Sequence, residues 1–262
     1  MNKHLIFTNG RSGSNYLANL LNQHPHITNY GEVLGDWTIP YQLHSRYGLG
    51  GKLDRDYLEF LYRSSTFFFW SQCYSAIAHW KSKKPVNFKR WNQIKSLGIK
   101  DFSIHFHRKN IQNYLVENES LLIINLYREN SLKRLISLIN MQSTGVVKTT
   151  QNLAVQKITL DLDYVKKELP IYEQEKQKQL TLIEQINPAR VFNLKYEDYF
   201  SSPESQQKYN QQIFDFLQVE NFSSLLQSSQ KKILDGSLAQ IIDNYDELKL
   251  NLENTEYEKY LD

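Results

Sequence analysis

The sequence predicts an α/β fold in which a mostly parallel central sheet is flanked by helices. Three stretches, 4–24, 120–142 and 189–220, each contain a short apolar segment, a polar turn and an amphipathic helical pattern. Within the second stretch, LLIINLY at 121–127 is a continuous apolar run, which is typical of a central parallel strand buried on both faces. Strands that alternate with helices in this way build parallel sheets, and the carboxyl ends of their strands share one edge.

Length and composition suit a single domain. We expect the 262 residues to form one domain, 1–262, with 36–97 as a helical and loop insertion that binds the acceptor. With 17 Tyr, 13 Phe and 4 Trp, the composition is not that of a disordered chain. A net charge of +3 argues against a general nucleic-acid binder, which would carry a concentrated basic face. The single Cys73 excludes an intramolecular disulfide framework and a cysteine-based metal cluster.

The sequence shows no targeting signal. The first predicted strand begins within a few residues of Met1, and no apolar run is long enough to cross a bilayer. We therefore expect a soluble, cytoplasmic protein with no transmembrane segment. The sequence does not predict an oligomeric state.

The first stretch predicts an anion site made largely of backbone. His4–Thr8 is the apolar strand, and residues 9–14 (NGRSGS) form the turn. A helix follows from Asn15, with apolar residues at helical spacing: Leu17, Leu20 and Leu21. A helix N-terminus has unpaired backbone N–H groups and partial positive charge, so phosphate or sulfate binds well there. Arg11 adds a full positive charge at the mouth of this loop.

The loop differs from a nucleotide-hydrolase P-loop. That motif reads G-x-x-x-x-G-K-[ST], with a lysine after its last glycine. Here Gly10 and Gly13 are too close together, and no lysine follows. The cation precedes the second glycine instead.

Glu32 follows the loop by about one helix and a turn, after a short segment, 27–30, that can be extended. In a strand–loop–helix–strand unit, the residue that closes the second strand returns to the same sheet edge as the loop. A carboxylate beside a bound anion is unfavourable unless it has a chemical task, such as accepting a proton from an attacking hydroxyl. Glu32 is therefore a candidate general base, and the alternative is a surface glutamate at a turn.

Arg128 ends the apolar strand at 121–127 and precedes a helix that Asn130 or Ser131 can cap. Arginine binds phosphate oxygens through paired hydrogen bonds, so a second anion site is predicted here. The alternative is a generic strand–helix unit. Two anion sites on two strand–helix junctions match a nucleotide with phosphates at both ends.

Residues 97–107 (LGIKDFSIHFH) alternate loosely between apolar and polar and predict a strand with His105 and His107 on one face. No third ligand of known spacing follows, so we predict polar surface or pocket lining rather than a metal site. The aromatic residues of 36–97 have helical spacing and are expected in the core. The basic segment 81–90 predicts a solvated loop or lid.

The third stretch begins with a predicted strand over 191–196. Ser202 can cap the next helix, with Pro203 at its first position. Before it, the charged segment 161–186 predicts a long helix or helix pair, with Pro170 near a start or kink.

GRSGSNYL at 10–17 resembles the 5′-phosphosulfate-binding loop of sulfotransferases that use 3′-phosphoadenosine 5′-phosphosulfate (PAPS), in particular the bacterial and carbohydrate-type members. The strand, arginine and serine-bearing helix around Arg128 resemble the 3′-phosphate segment of that family. The Tyr-Glu-Asp string at 196–198 is similar to a further shared segment. The usual proline before the cation is absent, since Asn9-Gly10 stands there. The resemblance implies a three-layer fold like that of P-loop nucleotide kinases.

The resemblance also implies roles at the 5′ end of the nucleotide. Arg11 neutralises charge on the leaving oxygen, and Glu32 is the general base. His105 and His107 are possible alternative bases, because the cytosolic branch of the family uses a histidine. The 5′-phosphosulfate is held by Arg11 and by four further loop residues: Ser12, Gly13, Ser14 and Asn15.

At the other end of the nucleotide, the resemblance implies that Arg128 and Ser137 hold the 3′-phosphate and that Tyr196 lies near the adenine. Lys231 and Lys232 stand where other members place cations, but the local match is poor and assigns them no role. PAPS is then a co-substrate, adenosine 3′,5′-bisphosphate is a product, and no metal is required.

The predicted reaction is in-line transfer of a sulfuryl group to a hydroxyl of a sugar, a glycolipid or another small acceptor. The acceptor itself is not predicted. One alternative is a small-molecule kinase, but the loop lacks the lysine that such an enzyme would have. Another is a non-catalytic nucleotide-binding module, which would keep Arg11 and Arg128 but would not need Glu32.

Overall fold

The computed structural model describes residues 1–81, 87–145, 157–222 and 236–261. Within them the chain forms one five-stranded sheet in the order β2-β3-β1-β4-β5, and every strand pair is parallel. The strands are β1 (Asn2–Thr8), β2 (Ile27–Asn29), β3 (Ser96–Phe102), β4 (Leu121–Tyr127) and β5 (Val191–Lys195).

Helices flank this sheet in the described residues. They are α1 (Ser14–Gln23), α2 (Ile39–Tyr47), α3 (Asp54–Arg63), α4 (Ser65–Lys81), α5 (Ser103–Arg108), α6 (Gln112–Glu117), α7 (Ser131–Thr144), α8 (Leu162–Glu184), α9 (Tyr196–Tyr199), α10 (Pro203–Phe216), α11 (Leu238–Ile241) and α12 (Tyr245–Leu252). Short 3₁₀ turns occur at Trp91–Gln93, Pro188–Arg190 and Glu258–Tyr260. The α/β fold with a parallel central sheet is therefore confirmed.

Strand β1 is buried on both of its faces, as a central parallel strand should be. Leu5 and Phe7 pack in a core with α3, α4 and α6, whereas Ile6 packs in a second core with α1 and α10. Because successive side chains of a strand point to opposite faces, these two cores lie on opposite sides of the sheet. A third cluster joins α7 and α8 to α11 and α12.

The strand order places a crevice at the carboxyl end of β1. Thr8, the last residue of β1, pairs with Phe102 on β3 and with Leu126 on β4. The strands β3 and β4 lie on opposite sides of β1, so the strand order reverses its direction at β1. In open α/β sheets, ligands bind outside the carboxyl ends of the strands at such a reversal. The loops after β1, β3 and β4 therefore meet at one place.

Several local predictions are confirmed. The side chain of Asn130 caps α7 by accepting from the amide of Lys133, and Ser202 caps α10, whose first residue is Pro203. Residues 162–184 form one long helix, α8, with Pro170 inside it.

The predicted strand at 97–107 is wrong in its second half. β3 ends at Phe102, and residues 103–108 form α5, so His105 and His107 do not share a strand face. Because they are two residues apart on a helix, their side chains are rotated by about 200° around the helix axis and point to nearly opposite sides. The apolar residues of this segment also satisfy a helix, in which Phe106 packs edge-on against Phe7 of the core.

Segment 36–97 contains α2, α3 and α4, but its aromatic residues are not all in the core. Tyr57, Tyr62 and Phe68 are buried, whereas much of α4 carries exposed aromatic side chains. Of the predicted basic loop at 81–90, residues 82–86 lie outside the described residues. No helix in the described parts of the chain combines the length and apolar character needed to span a membrane.

Candidate active site

The loop between β1 and α1 has a backbone that presents its amides outward. Arg11 and Gly13 both have positive φ, at 67° and 79°. A Cβ on Gly13 would lie 2.6 Å from the ring of Phe200, so the position requires glycine for space as well as for conformation. Among the described residues, no acceptor pairs with the amides of Ser12, Gly13 and Ser14. The start of α1 therefore offers a group of free donors, as the sequence predicted for an anion site.

Hydrogen bonds to buried side chains hold this loop in place. The Asn9 side chain donates to Gln179 Oε1 at 2.7 Å and accepts from Ser103 Oγ at 2.5 Å. Ser12 Oγ donates to the Asn9 carbonyl at 2.8 Å, and Arg134 Nε donates to the Gly10 carbonyl at 2.9 Å. Sites fixed by such supporting contacts need little rearrangement when a ligand binds.

Arg11 connects the two predicted anion sites. Its Nε donates to Ser137 Oγ on α7 at 3.1 Å. The family resemblance assigned these two residues to opposite ends of a nucleotide. They are 126 positions apart in the sequence, and the structure brings them into direct contact.

Arg128 lies beside them at the carboxyl end of β4. Its guanidinium stacks on the ring of Tyr196, 4.4 Å from the centroid, and Nη1 donates to the Arg11 carbonyl at 3.4 Å. Its Nε is buried and has no hydrogen-bond partner among the described residues; the nearest carboxylate oxygen, on Glu197, is 4.0 Å away. Glu197 is itself engaged by the amides of Glu129 and Asn130, at 3.0 and 3.2 Å. An unsatisfied buried guanidinium donor is costly, and an anionic ligand would satisfy it.

The guanidinium groups of the two arginines lie close together in partly buried surroundings. Burial lowers the pKa of the Arg11 guanidinium, and the neighbouring Arg128 lowers it further. Burial also lowers the pKa of Arg128, although Tyr196 and Glu197 partly oppose the change. Both side chains stay protonated because their ordinary pKa is so high. Anionic ligand groups in this crevice would therefore offset the cost of holding two positive charges close together.

Glu32 is paired with a cation that the sequence analysis did not single out. Lys100, on β3, donates from Nζ to Glu32 Oε1 and, at 2.9 Å, to Asn15 Oδ1 at the start of α1. The Lys100 side chain is almost wholly buried. Its cation thus stands between the Glu32 carboxylate and the anion loop. A lysine within a predicted strand was the available signal, since buried charges are rarely without a partner.

Asp101 fixes the backbone next to Glu32. This fully buried carboxylate accepts from the amides of Val33 and Leu34 through Oδ2, at 2.9 and 2.7 Å. Through Oδ1 it accepts from the amide of Phe102 at 2.8 Å and from His105 Nδ1 at 2.5 Å. Two neighbouring residues therefore hold the Glu32 segment: Lys100 binds the side chain of Glu32, and Asp101 binds the backbone amides that follow it.

The two predicted histidines have different surroundings. His105 is buried, bonded to Asp101, and its ring lies 5.2 Å from that of Trp37 and 5.4 Å from that of Phe102. His107 contacts Gln112 through Nδ1 at 3.0 Å, and burial lowers its pKa. His105 therefore contacts the Glu32 segment indirectly, through Asp101. His107 contacts Gln112 and, within the described residues, has no such connection to Glu32 through Asp101.

Tyr196 and the two lysines without an assigned role are the remaining residues that were named from the sequence. Tyr196 is the first residue of α9 rather than the end of a strand, and it lies against Gly13 as well as under Arg128. Lys231 and Lys232 lie outside the described residues.

Comparison with known proteins gives a structural likeness without a sequence match. No protein-family model matches the chain, and no curated protein sequence matches it. A sulfotransferase from Alicyclobacillus acidocaldarius is similar in structure, with 12% identity, a TM-score of 0.48, and 100% of this chain and 96% of that chain covered.

Two further solved structures are similar at the same level. The sulfotransferase domain of the Synechococcus PCC 7002 olefin synthase has 20% identity and a TM-score of 0.48, with 100% of this chain and 86% of that chain covered. The sulfotransferase domain of the curacin biosynthetic pathway has 18% identity and a TM-score of 0.48, over 91% of this chain and 81% of that chain. Likeness at this level does not establish a function, which has to be argued from the residues of the chain itself.

Proposed function

We propose that this protein is a sulfotransferase that moves a sulfuryl group from PAPS to a hydroxyl of a small acceptor. One observation carries the proposal: the free amides of the loop after β1, the Arg11 guanidinium and the partly unsatisfied Arg128 guanidinium converge on one crevice. Such a crevice suits a nucleotide with anionic groups at both ends better than a ligand with a single phosphate.

The two arginines divide the nucleotide between them. Arg11 and the amides from Ser12 to Asn15 bind the 5′-phosphosulfate, and Arg128 binds the 3′-phosphate. Ser137 Oγ accepts from Arg11 in the structure, so its own hydroxyl proton remains available for a phosphate oxygen. Tyr196, which already stacks on Arg128, contributes an aromatic surface for the adenine.

Glu32 serves as the general base in this proposal. It accepts the proton of the acceptor hydroxyl while the hydroxyl oxygen forms a bond to sulfur. The bond between sulfur and the bridging oxygen of the 5′-phosphate breaks, and its electron pair stays on that oxygen, next to Arg11. Positioning and charge stabilisation then supply most of the catalysis, as in phosphoryl transfer.

Lys100 reduces the repulsion between the Glu32 carboxylate and the anionic sulfuryl donor. Its ammonium group contacts both Glu32 and Asn15, so positive charge separates the carboxylate from the donor's sulfuryl oxygens. In the transition state, the same ammonium stabilises charge that develops on the transferred group. His105, which is bonded to Asp101, remains the alternative base.

The experiment is a thermal-shift comparison followed by a transfer assay. Adenosine 3′,5′-bisphosphate at about a hundredfold excess over Kd should raise the melting temperature by about 5–10 °C. Adenosine 5′-phosphate should have a smaller effect, and ATP with magnesium should have none. Stabilisation by ATP with magnesium alone would instead indicate a kinase.

The transfer assay uses PAPS labelled in its sulfuryl group and a panel of sugars, glycolipids and phenols. Labelled product should form with wild-type protein and be lost with Arg11→Ala. Arg55→Ala is the matched control, because Arg55 is an exposed arginine paired with Glu117 on the surface. Tight nucleotide binding with no transfer to any acceptor would indicate the non-catalytic binding module.

A further inference from the structure

Helix α4 has an unusual composition for a helix that faces solvent. Between Ser65 and Trp80 it contains no Asp, Glu, Lys or Arg. A surface helix normally has charged and polar residues on the face opposite its apolar stripe. Until its last residue, Lys81, this helix therefore lacks the charged side chains that keep an exposed face in water.

Only a narrow strip of α4 is used to hold the helix on the domain. Phe68 is buried and packs edge-on against Trp91, with ring centroids 5.3 Å apart. Gln72 is buried and accepts from the amide of Lys89 at 3.2 Å. At the start of the helix, Phe67 is half-buried and packs against Tyr30 and Phe60, with ring centroids 5.1 and 5.9 Å away. The other large apolar side chains of α4 are exposed.

That outward surface is strongly aromatic. We call it the aromatic face, and its members have the following exposed fractions: Phe69 51%, Trp70 65%, Tyr74 67%, Ile77 53%, Trp80 76% and Phe88 50%. Phe88 joins the helix residues through its ring contact with Phe69.

The aromatic face is large enough to form half of a stable interface. Aromatic side chains present about 150–250 Å² each, so the exposed fractions of the five aromatic residues come to about 600 Å², to which Ile77 adds. The largest apolar patch of a typical monomer is about 300–600 Å². A standard interface buries about 800 Å² on each partner.

We propose that the aromatic face is the dimer interface of this protein and that its occupant is the same face of a second copy. Its area comes close to what one partner of a standard interface contributes. Because the face carries no formal charge, it can meet itself across a twofold axis without bringing like charges together. Tyr, Trp and Phe are also the residues that interface centres favour.

A membrane surface fits the face less well. Helices that lie in a lipid interface carry Lys and Arg along the length of their polar side, whereas the Lys or Arg of α4 is confined to Lys81, its last residue. The side of α4 opposite the aromatic face is packed on the domain rather than facing water. The proposed dimer does not depend on the proposed sulfotransferase activity, since none of its residues belongs to the nucleotide crevice.

The test is analytical ultracentrifugation of a dilution series. Wild-type protein should sediment as a dimer that dissociates on dilution. Tyr74→Lys would place two ammonium groups at the twofold interface and should weaken dimerisation by about thirtyfold or more. Tyr47→Lys is the matched control: Tyr47 is 79% exposed on α2, outside the aromatic face, and its substitution should leave the dimer unchanged.

Trp80→Lys is the second variant, for the case that Tyr74→Lys disturbs folding, and circular dichroism melting checks both. A wild-type monomer at every concentration would overturn the proposal. So would a dimer that Tyr74→Lys and Trp80→Lys leave as strong as in wild type. Flotation of monomeric protein with phosphatidylglycerol vesicles would assign the face to a lipid surface instead.

Discussion

Substitution of Asp101 by asparagine tests how the Glu32 segment is held. The four donors around this carboxylate are three backbone amides and His105 Nδ1, two on each oxygen. Asparagine keeps the shape but has only one acceptor oxygen. Its NH₂ group faces either the two amides of Val33 and Leu34, or the amide of Phe102 and the ring of His105, whose neutral form can accept through Nδ1. Hydrogen bonds to a charged group contribute about 1.5–3 kcal/mol each, so the loss of one or two should lower the free energy of unfolding by about 1.5–6 kcal/mol.

Because Asp101 binds the amides of Val33 and Leu34, the substitution should also displace Glu32. A misplacement of about 1 Å costs about a hundredfold in turnover. Affinity for adenosine 3′,5′-bisphosphate should stay within about threefold of wild type, since the two arginine sites lie on other strands.

The assay is urea unfolding at low temperature, with sulfuryl transfer measured in the folded range. Asp36→Asn is the matched control, because Asp36 is an exposed aspartate of the same region that pairs with Lys109. A loss of less than about 1 kcal/mol, the range of a surface ion pair, would refute the argument that Asp101 anchors this segment. Loss of stability with unchanged turnover would show that Asp101 does not position Glu32.

Three further predictions follow from the same geometry. Glu32→Gln should reduce turnover by about 10²–10⁴ with nucleotide affinity unchanged; near-normal turnover would shift the role of the base to His105. Gly13→Ala should abolish binding of adenosine 3′,5′-bisphosphate and destabilise the fold by about 1–3 kcal/mol, because its Cβ meets Phe200 at 2.6 Å. Gly145→Ala is the control, because Gly145 has a similar positive φ but a Cβ there would have nothing within 4 Å. This variant has the backbone strain without the clash, and it should bind nucleotide normally. Burial lowers the pKa of Lys89 from 10.5 to about 7, so the unfolded chain binds more protons above pH 7 and stability should rise between about pH 7 and pH 10. Lys89→Met should remove that rise in pH-dependent urea unfolding, and an unchanged slope would contradict the assignment.

Much of the crevice could be predicted from the sequence because its parts are local. The loop at 9–14, Arg128 after an apolar strand and the Asn130 cap each depend on short-range patterns of strand, turn and helix. Parallel strands bring their carboxyl ends together, so the meeting of these segments follows from the fold class.

The supporting residues could not be predicted because they act across long separations. Asp101 binds amides 67 and 68 positions away, and Lys100 meets Glu32 at a separation of 68. In sequence these two residues belong to an alternating segment that also suits a strand, and their partners become visible only when β2 and β3 pair. Similarly, the helical spacing of α4 indicates a helix but not which face the domain covers.

The central claim is that one crevice binds phosphates at both ends of a nucleotide, and isothermal titration calorimetry tests it most directly. Wild-type protein should bind adenosine 3′,5′-bisphosphate at least tenfold more tightly than adenosine 5′-phosphate. Arg128→Ala should abolish most of that difference while leaving affinity for adenosine 5′-phosphate nearly unchanged, because Arg11 and the loop amides remain. Equal losses of affinity for the two nucleotides, or no preference in the wild type, would contradict the account.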